Sequence, residues 1–324
     1  MNPQAQSFTP QSEGAGLGVS FKNPGRSPAK KNASWRKKDN YWGYLFLGPQ
    51  TIGLAIFTLI PFVMMVGLSF SSWDGLGPIS WVGLTNFKSQ LHDPLLWRSI
   101  TNTLTIGFIT APVGLLIALV LAVAIQQLKL RTLYLLMFFA PIVTNTIAVA
   151  TIWQQILRKD SLLNTRVSHL FGFSPPDWLF NPRLALIAVC IVIIWGSLGL
   201  NVVIFLAGLE SISPSVIEAA RIDGAGPVQI FTKIRIPLLS PVIFFSIIVA
   251  VISSMQTFDV VYVLTSNGGP QDSTRTLVYH IYDLGFVRND FGGSSAAALI
   301  LLVLSLFLTL TQFAFQKRFV HYDS

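Results

Sequence analysis

Six long apolar stretches constrain this chain more than any other feature of its sequence. They cover residues 44–70, 100–125, 133–157, 184–208, 241–265 and 294–315. Each is long enough for a helix to cross a bilayer, which takes about 20 apolar residues. None carries Lys or Arg in its middle, in keeping with the cost of burying such charges in lipid. Because a membrane span must satisfy its own backbone hydrogen bonds, the stretches predict an all-α polytopic protein with six transmembrane helices.

The distribution of basic residues predicts the orientation of these helices in the membrane. Of the 22 Lys and Arg residues, 14 fall on the side that holds both termini and the loop at 209–240, and 8 fall on the other side. Basic residues favour the cytoplasmic side of a membrane, so the termini and this loop are expected there. The net charge of +8 then indicates contact with anionic membrane lipid, and we expect no nucleic-acid partner.

The remaining segments set the domain boundaries. Residues 1–40 are polar, basic and rich in Gly, Pro and Ser, so we predict a disordered cytoplasmic tail. They are not a secretory signal, because the first apolar run begins only near Tyr44. Residues 41–320 form the transmembrane domain, and 321–324 form a short cytoplasmic tail. The single cysteine, Cys190, lies inside the fourth stretch and is expected to be a packing residue.

The loop at 209–240 contains the start and stop signals of two short helices. Ser213 followed by Pro214 is a helix start, since serine can cap free amides and proline fits the first helical position. Gly224 is placed to end this first helix, because glycine accepts the left-handed conformation of a helix exit. A second helix is expected from Pro227, and Pro237 is expected to stop it.

One face of this helix pair is apolar and the other is charged. Pro227, Ile230, Phe231 and Ile234 follow the i, i+3, i+4, i+7 pattern of an apolar stripe. Ala219 and Ala220 are small enough for a partner to approach closely, and Glu218 can meet a cation. These features favour a docking element. The alternative is a plain surface hairpin in which Glu218 and Arg221 form a weak ion pair.

The loop also resembles a known motif. Glu218-Ala219-Ala220, Gly224 after three residues, then nine residues and Ile234-x-Ile236-Pro237 resemble the EAA loop of ABC importer permeases, which has Leu at the position of Ile236. Further segments resemble the carbohydrate-uptake branch of MalF/UgpA-like permeases, and the resemblance covers about residues 43–320. These segments are Asn102-Thr103-Leu104, Arg131 with Ala140-Pro141 and Ile152-Trp153, and residues 262–279 with their Asn-Gly-Gly-Pro run.

This resemblance implies a type I ABC importer permease fold in a bacterial plasma (inner) membrane. It implies three partners: a second, homologous permease that forms a heterodimer, a dimer of ATP-binding cassette ATPases, and an extracytoplasmic solute-binding protein. ATP and Mg would be bound by the ATPase and no cofactor by this chain. The residues that would couple to the ATPase are Glu218, Ala219, Ala220, Asp223, Gly224, Ile234 and Pro237.

The sequence gives no sign of an enzyme. It has no GxxxxGK[ST] phosphate-binding loop, so ATP hydrolysis is assigned to a separate subunit. The four histidines are scattered, so we expect no metal site, and no catalytic residues are assigned.

Polar residues within the spans are candidates for a substrate pathway. They are Asn145 with its neighbour Thr144, Asn201, Gln256, Thr257 and Asp259, and Tyr262, Phe205 and Phe258 could stack on a sugar ring. Uncharged amides and hydroxyls suit the hydroxyl groups of a neutral sugar. The alternative for each is a helix–helix hydrogen bond. Gln256 and Asp259 are expected to share a helix face with Ile252 and Val263.

The function that this reading favours is transport of an oligosaccharide or a related polyol glycoside by alternating access. One alternative is import of glycerol 3-phosphate or its diesters by the same mechanism. A second is an ion-coupled secondary transporter, for which Asp259 is the one candidate carboxylate. A membrane scaffold is a third, but it would not need the EAA arrangement.

Overall fold

A computed structural model describes residues 33–172 and 174–319, which divide into two units between Leu59 and Ile60. The first unit contains helix α1 (Ala33–Leu54) and a π-helical turn at Ala55–Leu59. Residues 33–40 are helical and not disordered as predicted, because α1 runs continuously from Ala33 into the first apolar stretch. The rest of the predicted N-terminal tail and the tail at 321–324 lie outside the described residues.

The described part of the second unit is mostly helical, as predicted. One small antiparallel hairpin interrupts it, with Ser71 opposite Trp81 and Ser72 opposite Ser80. In chain order the elements are α2 (Ile60–Ser69), β1 (Ser71–Ser72), β2 (Ser80–Trp81), α3 (Thr85–His92), α4 (Pro94–Gln126), α5 (Arg131–Val143), α6 (Thr146–Leu157), α7 (Leu162–Leu170), α8 (Pro182–Ser211), α9 (Pro214–Ile222), α10 (Pro227–Ile230), α11 (Ile236–Leu238), α12 (Ser240–Met255), α13 (Asp259–Leu264), α14 (Leu277–Tyr282) and α15 (Phe291–Phe319).

The described residues include four helices that are long and apolar enough to cross a membrane, at Gly43–Ser69, Pro94–Gln126, Pro182–Ser211 and Phe291–Gln316. Two bent pairs of helices raise the number to six if each pair is one span. In one pair α5 and α6 meet at 101°, and in the other Pro227–Leu238 and α12 meet at 66°. Four of the predicted spans correspond to the uninterrupted helices and the third corresponds to the first bent pair, whereas the fifth, 241–265, overlaps the second bent pair only at α12.

The third predicted span is broken at Thr144 and Asn145. Pro141 has no amide hydrogen to continue the helical ladder, and Thr144 is extended, with φ −82° and ψ 139°. Asn145 then begins α6, because its side-chain oxygen accepts the Ile147 amide at 2.8 Å. The third predicted span is therefore bent by 101° at this point.

The fifth predicted span, 241–265, is not one helix. α12 ends at Met255 and α13 begins at Asp259, with Phe258 non-helical at φ −132° and ψ −60°. The Thr276 hydroxyl donates to the Thr257 carbonyl at 2.8 Å, which satisfies a backbone group that the break sets free. The shared helix face expected for Gln256, Asp259, Ile252 and Val263 therefore does not exist.

The core lies along α4 and α8. Phe205 is 1% exposed there and packs among Leu115, Leu119 and Leu206. It is therefore a core residue and not a sugar-stacking ring. Cys190 is buried in a second apolar cluster with Ile106 and Val261, as expected for a packing residue.

Gly199 allows α5 and α8 to approach at backbone distance. A Cβ atom at this position would lie 2.0 Å from the Phe138 carbonyl oxygen, whereas one at Gly196, on the same helix, would meet nothing within 4 Å. Small residues permit such close helix packing in membranes. We expect Gly199→Val to lower the unfolding free energy by about 1–3 kcal/mol through overpacking.

Thermal unfolding of the purified protein in detergent measures this loss. Gly196→Val is the matched control and should leave the melting temperature within about a degree, since its surroundings are open. Equal shifts for the two variants would show that the close approach at Gly199 does not matter.

Candidate functional site: the elbow and the polar residues of the bundle

The loop between α8 and α12 forms a bent pair of short helices, here called the elbow (residues 213–239). Gly224 lies between α9 and α10 with φ +82°, a left-handed conformation that glycine adopts readily. The Ala225 amide donates to the Ala220 carbonyl at 2.9 Å, which closes the end of α9. The helix end predicted at Gly224 is confirmed.

A small apolar core holds the two arms of the elbow together. Ile217, Ala220 and Ile230 are buried against one another, and Ile234 packs on them. Ala220 therefore faces the opposite arm of the elbow and not a partner surface as predicted, whereas Ala219 is exposed.

The predicted apolar stripe serves two purposes. Ile230 and Ile234 belong to the core of the elbow, while Phe231 packs against the main core along α4 and α8. Phe231 therefore anchors the elbow to the transmembrane bundle, so a movement of the elbow is resisted or transmitted by direct packing.

Two details of the elbow differ from the predictions. Ser213 makes no capping bond to α9, and its hydroxyl lies 2.7 Å from that of Ser215. Pro237 does not stop the helix, because helical backbone continues from a π turn at Phe231–Arg235 through α11. The wider π turn, in which the Ile236 amide donates to the Phe231 carbonyl, lets the chain pass a proline without a break.

The outer surface of the elbow is charged. Glu218, Asp223 and Lys233 are all exposed. Among the described residues Glu218 forms no ion pair, so the predicted alternative of a Glu218–Arg221 pair is not found. Glu218 instead borders a hollow of about 230 Å³, which Arg221 and Arg235 also line.

Exposed apolar side chains lie beside these charges. Ile222 is 87% exposed, Val228 is 74% exposed and Val216 is 42% exposed. All three lie outside the six apolar stretches that the sequence predicts as spans. Apolar side chains grouped within a charged rim are typical of a surface that another protein covers.

A polar cluster occupies the other end of α4. Asn102, near the start of this helix, lies roughly 36 Å from Gln126 at its end, from a helical rise of about 1.5 Å per residue. Its side-chain amide donates to the Asp272 and Arg275 carbonyls at 3.1 and 3.0 Å. Two segments that carry the family resemblance, Asn102-Thr103-Leu104 and residues 262–279, are thus bonded together.

Arg275 is at the centre of this cluster, which we call the clamp (Gln90, Asn102, Thr103, Asp272, Arg275, His280 and Asp283). The Arg275 side chain is buried and forms ion pairs with Asp283 and, at 3.0 Å, with Asp272. Arg288 joins Asp283 from the surface at 2.8 Å. A buried guanidinium with two carboxylate partners holds its neighbours in fixed positions.

His280 completes the clamp as a neutral ring. It is fully buried, and its Nε2 donates to Gln90 Oε1 at 2.9 Å. Its Nδ1 accepts from the Arg275 guanidinium at 3.3–3.4 Å. Burial, and next the Arg275 charge, lower the pKa of His280 to about 4, so the ring carries no charge at neutral pH.

The two asparagines predicted for the pathway bond to their own backbone and not between helices. Asn145 caps α6, as described above, and remains exposed. Asn201 donates to the Ser197 carbonyl at 3.0 Å and is half-buried. The interhelical hydrogen bonds considered as their alternative role are not found among the described residues.

Asn201 does line a hollow within the bundle. It encloses about 120 Å³ between α4, α8 and α12. Sequence reasoning missed its other polar members, because a hydroxyl within a span can simply bond its own helix, as Thr110 and Ser197 do. The polar lining consists of Thr110, Ser197, Asn201, Ser253 and Ser254.

The remaining predicted pathway residues lie at or just after the break between α12 and α13. Gln256 and Asp259 are exposed, Thr257 is half-buried and Tyr262 is 38% exposed. Phe258 stacks on Tyr262, with ring centres 5.4 Å apart. Asp259 is exposed at the first position of α13 and forms no ion pair among the described residues, whereas a proton relay within a membrane needs a partner.

Residues 111–321 match the family described as "binding-protein-dependent transport system inner membrane component". The match includes the elbow and most of the bundle. The chain belongs to this family. It is therefore a permease subunit, an inner membrane component of an ABC transporter, and the resemblance seen in the EAA motif is confirmed.

Several permeases of the family are similar over almost their whole length. The probable ABC transporter permease protein YesP of Bacillus subtilis is 36% identical over 93% of this chain and 98% of its own. The arabinooligosaccharides transport system permease protein AraP of B. subtilis is 31% identical, over 87% and 91%. The sn-glycerol-3-phosphate transport system permease protein UgpA of Pectobacterium atrosepticum is 32% identical, over 88% and 97%.

A solved structure shows the fold of the permease. A chain of a bacterial ABC transporter involved in the import of the acidic polysaccharide alginate aligns with a TM-score of 0.77 at 22% identity, covering 89% of this chain and 99% of that one. The predicted type I ABC importer permease fold is thereby confirmed.

Proposed function

We propose that this permease carries a neutral sugar, an oligosaccharide or a related polyol glycoside, by alternating access that a separate ATPase drives. The observation that carries the proposal is the elbow, which offers exposed apolar side chains, and charged ones that form no ion pair among the described residues, next to a left-handed glycine. A surface of this kind, fixed to the bundle through Phe231, suits a docking site through which another subunit moves the spans.

The proposed partners follow from the EAA resemblance and the exposed surfaces. Two ATP-binding cassette ATPases would hold ATP and Mg, and one would receive Glu218, Ala219, Asp223 and Gly224. Ala220, Ile234 and Pro237 would maintain the shape of the elbow from within. A second, homologous permease would complete a heterodimer, and an extracytoplasmic solute-binding protein would deliver the sugar. The excess of basic residues supports a cytoplasmic position for both termini and for the elbow.

The polar lining of the bundle supports a neutral substrate. Hydroxyl and amide groups line the hollow at Asn201, and none of its lining residues is charged. Such groups exchange hydrogen bonds with sugar hydroxyls, and the break residues Gln256, Thr257, Asp259 and Tyr262 would continue the pathway. Asn145 would contribute at the bend between α5 and α6.

Glycerol 3-phosphate is the second candidate, because the similar protein UgpA is named for its transport. A phosphate ester would require cations along its path, and the hollow offers none. Ion-coupled secondary transport has less support, since the exposed Asp259 is not part of a buried relay.

Cross-linking at the elbow tests the proposed docking. A cysteine at Ile222, in a Cys190→Ala background, should form an adduct with a protein that carries a phosphate-binding loop and whose deletion stops uptake. Leu76, which is 98% exposed in the hairpin loop, is the control position and should give no such adduct. Intact complexes in which Ile222→Cys never captures an ATPase would contradict the proposal.

A further inference from the structure

The side chains of the clamp support a group of aromatic rings that includes Tyr262, a residue of the proposed pathway. Rings between Phe258, just before α13, and Phe291, the first residue of α15, form a continuous series with centres 5.1–6.4 Å apart. One of them lies in a π turn at Asp283–Val287 that follows α14. The series comprises Phe258, Tyr262, Tyr279, Tyr282, Phe286 and Phe291.

Two rings of this series face outward, each backed by another ring. Tyr262 is 38% exposed and stacks on Phe258 with planes 23° apart, and Phe286 is 70% exposed and stacks on Tyr282 with planes 26° apart. Tyr282 lies 5.5 Å from both outward rings. The two outward rings are thus two platforms on one surface, separated by an intervening ring.

Side chains packed behind the two platforms hold them in position. Arg275 lies 5.1 Å from the centre of the Tyr279 ring, and Tyr279 stacks on Phe258. Asp283, which starts the turn that carries Phe286, is fixed by Arg275 and Arg288. The rings therefore need little reordering when a ligand binds.

Polar groups that suit sugar hydroxyls lie beside both platforms. Exposed Asp259 is one helical turn before Tyr262, and exposed Asn289 is three residues after Phe286. An aromatic surface within the hydrocarbon core of a membrane would not carry such side chains. Carboxylate and amide groups next to flat rings match a pyranose, which has an apolar C–H face and a polar rim. The nearby cation, Arg288, is already paired with Asp283.

We propose that Tyr262 and Phe286 are stacking platforms of an extended subsite that binds a neutral oligosaccharide chain. This subsite rests on the proposed sugar transport and lies at the end of α4 remote from the elbow. Because the Tyr282 ring lies between the platforms, 5.5 Å from each, a chain of three or more sugar rings is needed to contact both. The subsite therefore favours longer chains over short ones.

Uptake by proteoliposomes that contain the complete importer tests this subsite. The probes are labelled arabino-, xylo-, malto- and galacto-oligosaccharides, each from disaccharide to pentasaccharide, and the series best carried by the native importer is used. We expect Phe286→Ala to lower pentasaccharide uptake about five- to tenfold and disaccharide uptake less than about twofold, from the loss of one stacking contact. Phe286→Trp should restore the ratio.

Phe307→Ala is the matched control, because Phe307 is 64% exposed on α15 outside the series, and it should change neither uptake. If Phe286→Ala lowers uptake of both lengths equally, or of neither, the subsite is wrong and the rings face lipid or a protein partner. If the native importer carries none of the four series, the proposed sugar transport itself fails.

Discussion

Gly224→Val should leave the chain in the membrane and lower uptake by more than about tenfold. Gly224 has φ +82° with no atom near enough to meet a new Cβ, so the effect arises from backbone strain and not from a clash. A left-handed conformation costs an L-residue about 1–2 kcal/mol, and more for a branched side chain. The chain would relieve this strain by opening the bond between Ala225 and Ala220, and α9 and α10 would no longer meet a partner together.

Uptake in proteoliposomes and stimulation of ATP hydrolysis measure this effect. Gly226→Ala is the matched control, because Gly226 has φ −73° and should lose less than about twofold in uptake. Gly224→Asn should retain more activity than Gly224→Val or Gly224→Asp, since asparagine tolerates the left-handed region without adding charge. Normal transport by Gly224→Val in complete complexes would exclude a role for the bend.

Glu218→Lys probes the charge of the same surface. Because Glu218 is exposed and without an ion pair among the described residues, reversal of its charge should not unfold the chain. Loss of uptake with unchanged thermal stability would then locate the defect in docking.

Removal of the buried Arg275 guanidinium should destabilise the chain more than any surface change. In Arg275→Met, buried Asp283 retains only the half-exposed Arg288, and His280 Nδ1 loses its donors. Breaking a buried ion pair by removing one partner costs about 3–5 kcal/mol. We expect a fall in melting temperature of several degrees in detergent.

Arg158→Met is the control for Arg275→Met. Arg158 and Asp160 are both exposed and pair at 3.1 Å, and such a pair contributes at most about 1 kcal/mol. Arg275→Met combined with Asp283→Leu should recover part of the loss, because the second change removes the uncompensated charge. Equal melting shifts for Arg275→Met and Arg158→Met would show that the clamp does not stabilise the fold.

The sequence was sufficient for features that depend on local chemistry. Span positions follow from apolar length, and the end of α9 follows from Gly224, because no other residue type adopts that conformation so easily. The EAA spacing then identified the elbow without any structure.

Features that depend on distant partners could not be predicted in this way. The break at Phe258 depends on Thr276, 19 positions beyond Thr257, because the Thr276 hydroxyl donates a hydrogen bond to the Thr257 carbonyl. Hydropathy also does not distinguish a ring in the core from one on the surface, which is why Phe205 and Tyr262 looked equally suited to a sugar. Ala220 looked free for a partner because its contact with Ile230 arises only after the elbow folds back.

α4 has one end bonded to the clamp through Asn102 and the other end beside the elbow. Because α4 is one continuous helix, a displacement of one end during a transport cycle is passed on to the other end. Pro112 lacks the amide hydrogen for one backbone hydrogen bond near the middle of α4. The helix therefore bends most easily at that turn. If the elbow docks an ATPase as proposed, the stiffness of this one turn would set how much of a displacement of the elbow reaches the clamp.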